Sequence, residues 1–142
     1  MKTIRVVELK NYRGGALLIP QFDEMGEIKG EVIKQPNGEA VIDPSTGEPI
    51  KRPLNKPGTI LDAIDFLLQD FPRNKFTMKV IIEASRVAAT LQKTKDDNLD
   101  EIQLEDSSYD WLIAVLKDDN IGAKMFGLNL LNILTALESK QN

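Results

Sequence analysis

The sequence contains no cysteine and no histidine among its 142 residues. Without cysteine the chain has no disulfide bond, no thiolate nucleophile and no cysteine-ligated metal. Without histidine it also lacks the commonest general base and the commonest side-chain ligand of transition metals. The two absences exclude every class of catalytic or metal-binding site that depends on these side chains.

Long hydrophobic runs are also absent, since no apolar stretch approaches the roughly 18 to 20 residues that a membrane-spanning helix needs. The first ten residues, MKTIRVVELK, carry an early charge, but Arg5, Glu8 and Lys10 interrupt the apolar stretch that a signal peptide requires. We therefore expect a soluble, cytoplasmic protein that does not act at a membrane.

The net charge of −4 is unevenly distributed along the chain. Residues 1–58 hold nine basic and eight acidic side chains, whereas residues 59–142 hold nine basic and fourteen acidic ones. The segment 96–119 is the most acidic, with nine carboxylates and a single lysine, Lys117. Nucleic-acid-binding surfaces carry the opposite sign, so direct binding of nucleic acid is not expected.

The first half has the pattern of short strands joined by turns. A run rich in β-branched residues at 3–9 is followed by an apolar run at 16–22, in which Pro20 favours a strand end or a sheet edge. Four shorter apolar runs lie at 24–28, 30–34, 38–43 and 47–51. We predict a small antiparallel meander of three to five strands.

Proline and glycine are concentrated at 37–58. Such a stretch is either a loop that binds a phosphate or a metal ion, or a set of turns in a small sheet. Asn37-Gly38 lies between two apolar runs and predicts a hairpin with a type I′ turn. The segment 43–47, DPSTG, has proline and glycine at positions typical of a second turn. Turn chemistry therefore accounts for this stretch.

The second half has the 3.6-residue period of helices. Thr59, with Asp62 three residues later, predicts the start of a first helix, which Pro72 ends. Its apolar stripe is Ile60, Leu61, Ile64, Leu67, Leu68 and Phe71. A second helix is predicted from about Thr77, with the inward stripe Val80, Ile81, Ala84, Val87, Ala88 and Leu91, widened by Met78, Ile82 and Ser85.

A polar connection is predicted at 93–101, followed by a third helix. Ser107, with Asp110 three residues later, resembles a capping box, and the predicted inward residues are Trp111, Leu112, Val115 and Leu116. A fourth helical segment, 123–140, has an apolar stripe wider than one core face needs. Either it is the central helix of the bundle or part of it meets a partner protein, with Met125, Phe126, Leu130, Leu131 and Leu134 as the candidate contacts.

These patterns predict an α+β fold, in which a small antiparallel β meander or set of hairpins precedes a bundle of three or four helices. We expect a single domain over 1–142, with a β-rich part at 1–58 and a helical part at 59–142.

Known chemical motifs fail in detail. Lys56 and Gly58 precede a predicted helix, but the spacer and second glycine of a phosphate-binding loop are missing. Asp96, Asn98 and Asp100 alternate as in a calcium-binding loop, but Glu101 stands where glycine is required. We therefore expect no enzyme activity, no metal site and no cofactor; a small enzyme with a carboxylate-held Mg²⁺ is the weakest alternative.

The acidic run 96–119 is the remaining feature. It is either a solvated face or a surface that steers a basic partner. Asp96, Asp97, Asp100 and Glu101 are the candidate contacts in the second case.

The second half resembles small accessory and assembly proteins of tailed bacteriophages and prophages. In these proteins a helix rich in Leu, Asp and Ala precedes an I-x-L-x-D strand or cap, which is followed by a short apolar helix. Ile102, Leu104, Asp106 and Trp111 carry the likeness, which covers about 60 residues. The resemblance implies a protein that works by binding other proteins, in the host cytoplasm or the virion, and it implies no catalytic residues.

The sequence therefore predicts a non-enzymatic protein-interaction module, a structural or assembly component that oligomerises or binds a partner protein. The alternative is an acidic inhibitor or regulator that docks on a basic nucleic-acid-binding protein.

Overall fold

The structure is a computed structural model that describes residues 1–20, 30–53 and 55–138. It confirms the predicted α+β class, because small antiparallel strand pairs are followed by helices. The strands are β1 (Lys2–Arg5), β2 (Leu18–Pro20), β3 (Gly30–Val32), β4 (Lys51–Pro53), β5 (Asn55–Pro57) and β6 (Glu101–Leu104). The α-helices are α1 (Ile60–Gln69), α2 (Met78–Asp96), α3 (Asp106–Lys117), α4 (Gly122–Phe126) and α5 (Leu130–Glu138).

The chain divides into two compact units. Met1–Leu18 and Pro57–Asn142 form one, here called the helical unit, and Ile19–Lys56 form the other, the strand unit. This division differs from the expected one at residue 58, because the first 18 residues belong with the helices.

The N-terminal residues join the helical unit through strand pairing. β1 pairs antiparallel with β6, with Lys2 opposite Leu104 and Arg5 opposite Glu101. Ile4, Ile102 and Leu104 are buried on one side of this two-stranded sheet, and the residues between them are exposed. Alternating burial is what a sheet with one covered face requires.

The predicted polar connection at 93–101 is wrong over most of its length, because α2 continues to Asp96 and β6 begins at Glu101. Asn98, with φ of 50°, takes the left-handed conformation that ends the helix. The Leu99 N–H donates to the Thr94 carbonyl at 2.9 Å, and the Asn98 N–H donates to the Lys95 carbonyl at 3.2 Å. This pair of hydrogen bonds is a Schellman motif, and it turns the chain from α2 into β6.

Helix α1 follows its predicted pattern. The Thr59 N–H donates to the Asp62 carboxylate at 2.9 Å, so the start of the helix is confirmed. The buried residues of α1 are Ile60, Leu61, Ala63, Ile64 and Leu67, and Phe71 is buried just beyond its end. Only Leu68 of the predicted stripe is partly exposed.

Helix α2 starts as predicted, with the Val80 N–H donating to the Thr77 hydroxyl at 3.2 Å. Two residues of its predicted inward stripe, Val87 and Leu91, are confirmed as buried, but Ile81 and Ala88 are exposed and Val80 and Ala84 are only half-buried. The buried residues are Glu83, Val87, Leu91 and Thr94, whereas Met78, Ile81, Ile82, Ser85 and Ala88 are exposed. Because α1, α3 and β6 all contact α2, these neighbours decide which side is covered.

Helix α3 has its N-cap two residues before the predicted one. Its N-cap is Glu105 and Asp106 is its first residue, so the predicted capping box of Ser107 and Asp110 is wrong. The predicted inward residues are confirmed, since Trp111, Leu112, Val115 and Leu116 are all buried.

The fourth predicted helix is broken rather than continuous. Helix α4 ends at Phe126, and the next residue, Gly127, has φ of 54°. A 3-10 turn over Gly127–Asn129 leads into α5. Gly122 opens α4 against the end of α3, where an added Cβ would lie 1.9 Å from the Leu116 carbonyl oxygen. Only glycine permits so close an approach of the two backbones.

In the strand unit, β3 pairs antiparallel with β4 and the predicted hairpin at 35–38 is present. Its turn is not type I′. A type I′ turn centred on Asn37 and Gly38 would need a positive φ at both residues, but only Gly38 has one, at 86°. The central residues of the turn are instead Pro36 and Asn37, and Gly38 follows them in the left-handed conformation. The turn at 43–47 is confirmed by the Gly47 N–H, which donates to the Asp43 carbonyl at 2.8 Å.

Backbone hydrogen bonds join three residues of the strand unit to one another. The Ile33 N–H donates to the Ile50 carbonyl, the Ile50 N–H to the Val41 carbonyl, and the Val41 N–H to the Ile33 carbonyl, at 2.8 to 2.9 Å. Each of the three segments that contain Ile33, Val41 and Ile50 is therefore hydrogen-bonded to both of the others, which is not the arrangement of an open sheet. The predicted apolar run at 24–28 and the end of the run at 16–22 lie outside the described residues.

Candidate protein-interaction surfaces

The predicted apolar contact set at the C-terminal end is divided by the fold. Phe126 and Leu134 are buried in the helical unit, and Met125 and Leu130 are partly exposed. Leu131 is 73% exposed and therefore stays available to a partner. Two of the five candidate side chains thus serve the core.

The structure adds Leu128 to this surface, because its side chain is also 73% exposed and lies three residues before Leu131. We call Leu128 and Leu131 the C-terminal apolar surface. Leu128 belongs to the apolar residues of the predicted helical segment 123–140. Hydrophobic periodicity could not distinguish it from the buried residues of that segment, because Gly127 interrupts the helix.

Hydrogen bonds to the N-terminal segment hold this surface in place. The Asn129 side chain accepts from the Tyr12 N–H at 2.9 Å, and the Asn132 side chain donates to the carbonyls of Lys10 and Asn11 at 2.8 and 3.0 Å. A groove of about 490 Å³ lies between the segment 8–14 and α5. The two asparagines therefore fix the 3-10 turn and α5 against the segment that contains Tyr12, which is itself exposed.

The four acidic candidates remain close together in the chain and in space. Asp96 is the last residue of α2 and Asp97 is its C-cap, while Asp100 precedes β6 and Glu101 is its first residue; all four side chains are exposed. Two of them, Asp100 and Glu101, border a groove of about 390 Å³. Its other lining residues are Met1, Thr90, Lys93, Thr94, Leu99, Gln103 and Glu105. We call Asp96, Asp97, Asp100 and Glu101 the acidic rim.

The groove borders an open strand edge. The Val6 N–H donates to the Asp100 carbonyl, so Val6 and Asp100 are a hydrogen-bonded pair. In an antiparallel ladder hydrogen-bonded and non-hydrogen-bonded pairs alternate, so the pairs that contain Glu101 and Gln103 are non-hydrogen-bonded. By this alternation the backbone groups of Glu101 and Gln103 point away from β1, and in the described part of the chain no second strand pairs with β6.

Three carboxylates of the acidic region are engaged within the molecule. The Asp96 carboxylate accepts from the Gln92 side chain at 2.8 Å, and the Asp118 carboxylate accepts from the Asn120 N–H at 2.8 Å. The N-terminal ammonium lies 2.9 Å from the Asp106 carboxylate, and this hydrogen bond and charge lower the pKa of Asp106. Within the described residues no three carboxylates converge as ligands for a metal ion.

The outward side of α2 is a third surface, which the sequence pattern did not identify. Met78 is 71% exposed, Ile81 46% and Ile82 43%. The inward side holds Glu83, only 7% exposed, whose carboxylate accepts from the Ser108 hydroxyl at 2.8 Å and pairs with Arg86 at 3.2 Å. Glu83 therefore links α2 to α3 on the buried side of the helix, while Met78, Ile81 and Ile82 lie on the opposite, exposed side.

Comparisons with known proteins add no function to this geometry: no protein-family description, curated protein or solved structure matches the chain. Among the described residues, no helix is both long enough and apolar enough to cross a membrane.

Proposed function

We propose that this chain is a non-enzymatic protein-interaction module that self-associates through the C-terminal apolar surface. One observation carries the proposal: Leu128 and Leu131 are each 73% exposed on neighbouring turns of a chain segment held in place by Asn129 and Asn132. Burying a leucine side chain contributes about 1.5 to 3 kcal/mol, so a symmetric dimer that covers four of them gains a substantial driving force.

The assembly role within this proposal rests on the resemblance to phage accessory proteins. Ile102 and Leu104, which carry part of it, are buried in β6, and Trp111 is buried in α3. These buried residues stabilise the core of the helical unit, and the exposed Leu128 and Leu131 form the contact between protomers.

Mass in solution tests the proposal. We expect wild-type protein to form an oligomer that resists high salt in size-exclusion chromatography with light scattering, because apolar contacts are not screened by ions. Leu131→Asp and Leu128→Asp should give folded protein of lower mass. Ala114→Asp, which places the same charge on an exposed position of α3, is the matched control.

A wild-type monomer at all concentrations, or an unchanged mass in both leucine variants, would contradict self-association through this surface. Circular dichroism of each variant shows whether a lower mass reflects a lost contact or a lost fold.

The acidic rim supports a second candidate function, docking on a basic protein. The supporting observation is that Asp100 and Glu101 border both a groove and the open edge of β6. Reversal of Asp96, Asp97, Asp100 and Glu101 to lysine should abolish binding of a lysine- and arginine-rich peptide, and wild-type binding should weaken steeply with salt. Reversal of Asp118 and Asp119, in the same acidic run, is the control; equal losses would indicate that only net charge matters.

A further inference from the structure

The outward side of α2 has the geometry of a helix-packing seam. Met78, Ile82, Ser85, Ala89 and Gln92 follow one another at spacings of four, three, four and three residues, and all are exposed. This spacing repeats every seven residues over two turns and places the side chains in one line along the helix. Nothing in the described part of the helical unit covers this line.

The composition of the seam suits a second helix. Met78, Ile81 and Ile82 supply apolar area near the start of α2, and Ser85, Ala88 and Ala89 are small. Small side chains let two helix backbones approach closely, so a partner helix could contact Met78 and Ile82 and the middle of α2 together.

Positive charge lies along one flank of the seam. Lys79, Arg86 and Lys93 are seven residues apart and all exposed. Glu83 is the single acidic residue between Thr77 and Lys95, and it is buried against Ser108. Among the described residues neither Lys79 nor Lys93 forms an ion pair within the chain, so their charges are free to meet an opposite charge.

We propose that the outward side of α2 binds an amphipathic helix of a partner protein, with the partner's apolar residues on the seam and its acidic residues beside Lys79, Arg86 and Lys93. Charge complementarity selects an acidic helix. A second copy of α2 does not fit this role, because antiparallel pairing would place Lys79 of one copy near Lys93 of the other and Arg86 near itself. This surface is separate from the C-terminal apolar surface, so the inference does not depend on self-association.

The test uses the full-length protein and two designed peptides of about three heptads each. Both peptides carry leucine at the seam positions; the first has glutamate at the flanking positions and the second has lysine. Like charges on both flanks keep each peptide from pairing with itself. Fluorescence anisotropy of a labelled peptide measures binding, and we expect the acidic peptide to bind and the basic one to fail.

Two variants locate the contact. Ile82→Asp should weaken binding of the acidic peptide by about tenfold or more, because it places a charge in the centre of an apolar seam. Lys79→Glu with Lys93→Glu should weaken it by about tenfold and remove most of the salt dependence. Lys124→Glu and Ile42→Asp make matched changes at exposed positions outside α2, and binding should be unchanged in both.

All four variants alter exposed positions, so their melting temperatures should stay close to that of wild type, and circular dichroism checks this. The inference is overturned if neither peptide binds, if both bind equally, or if the α2 variants bind like wild type. It is also overturned if vesicles of phosphatidylcholine and phosphatidylglycerol bind through Ile82 while the acidic peptide does not, since the surface would then be a membrane contact.

Discussion

Helix α1 buries five apolar side chains on one side, whereas α2, which packs against it, buries two apolar residues together with Glu83 and Thr94. Both helices carry apolar residues at helical spacing. Those of α1 lie against other elements, and several of α2 lie in solvent. An apolar side chain is buried only where a neighbour covers it, so a stripe indicates a helix but does not decide how the helix is turned.

The largest expected effect contrasts one isoleucine from each helix. Ile64 of α1 is 1% exposed, and Ile64→Ala should lower the free energy of unfolding by about 2 to 5 kcal/mol, because it leaves a cavity. Ile82→Ala of α2 makes the same chemical change at an exposed site and should shift it by no more than about 0.5 kcal/mol. Urea denaturation measures both. Similar losses in the two variants would mean that Ile82 is covered in solution.

The next largest expected change in the free energy of unfolding concerns Glu83, the buried glutamate of α2. Glu83→Ala should cost about 1 to 3 kcal/mol, because it leaves the Ser108 hydroxyl buried without its acceptor. Ser108→Ala should cost a similar amount, and the double variant should cost less than the sum, because no unpaired partner remains. Gln92→Ala, an exposed change on the same helix, is the control. Strict additivity in the cycle would show that the two side chains do not interact.

The two helices also end differently, and this difference predicts a smaller effect. Asn98, the residue after the C-cap of α2, takes the left-handed conformation, whereas Phe71, at the corresponding position after α1, does not have a positive φ. Asn98→Ala should cost about 1 kcal/mol, because a Cβ without a compensating polar group is strained there, and Asn98→Gly should leave stability unchanged or slightly raised. Thermal unfolding compares these variants with Asp70→Ala, for which we expect little change. A neutral Asn98→Ala would argue against the Schellman motif.

The smallest effect concerns the ion pair that joins the two helices. Lys95 of α2 lies 3.5 Å from Asp65 of α1, and both side chains are partly exposed. Lys95→Ala and Asp65→Ala should each cost about 0.5 kcal/mol in low salt, and the difference should shrink at high salt because exposed charges are screened. Denaturation at two salt concentrations measures this. A cost that persists in high salt would indicate packing rather than charge.

The candidate surfaces show the same division between local and tertiary information. The sequence located the acidic residues 96, 97, 100 and 101 correctly as exposed positions, because charged side chains are rarely buried. It grouped Phe126 and Leu134 with Leu131, since all three have the same apolar character. The sequence pattern could not distinguish the buried members from the exposed one, and it could not identify the outward side of α2.

The sequence by itself determined the local features of this protein: the α+β class, the cap formed by Thr59 and Asp62, the turns near Gly38 and Gly47, and the stripe of α1. Each depends on residues within a few positions of one another. Tertiary structure alone decided that β1 pairs with β6 across some 100 residues, how α2 is turned, and why Gly122 must lack a side chain beside the Leu116 carbonyl. The physical reason is that these features depend on which distant surfaces meet, and hydrophobic periodicity carries no information about the partner.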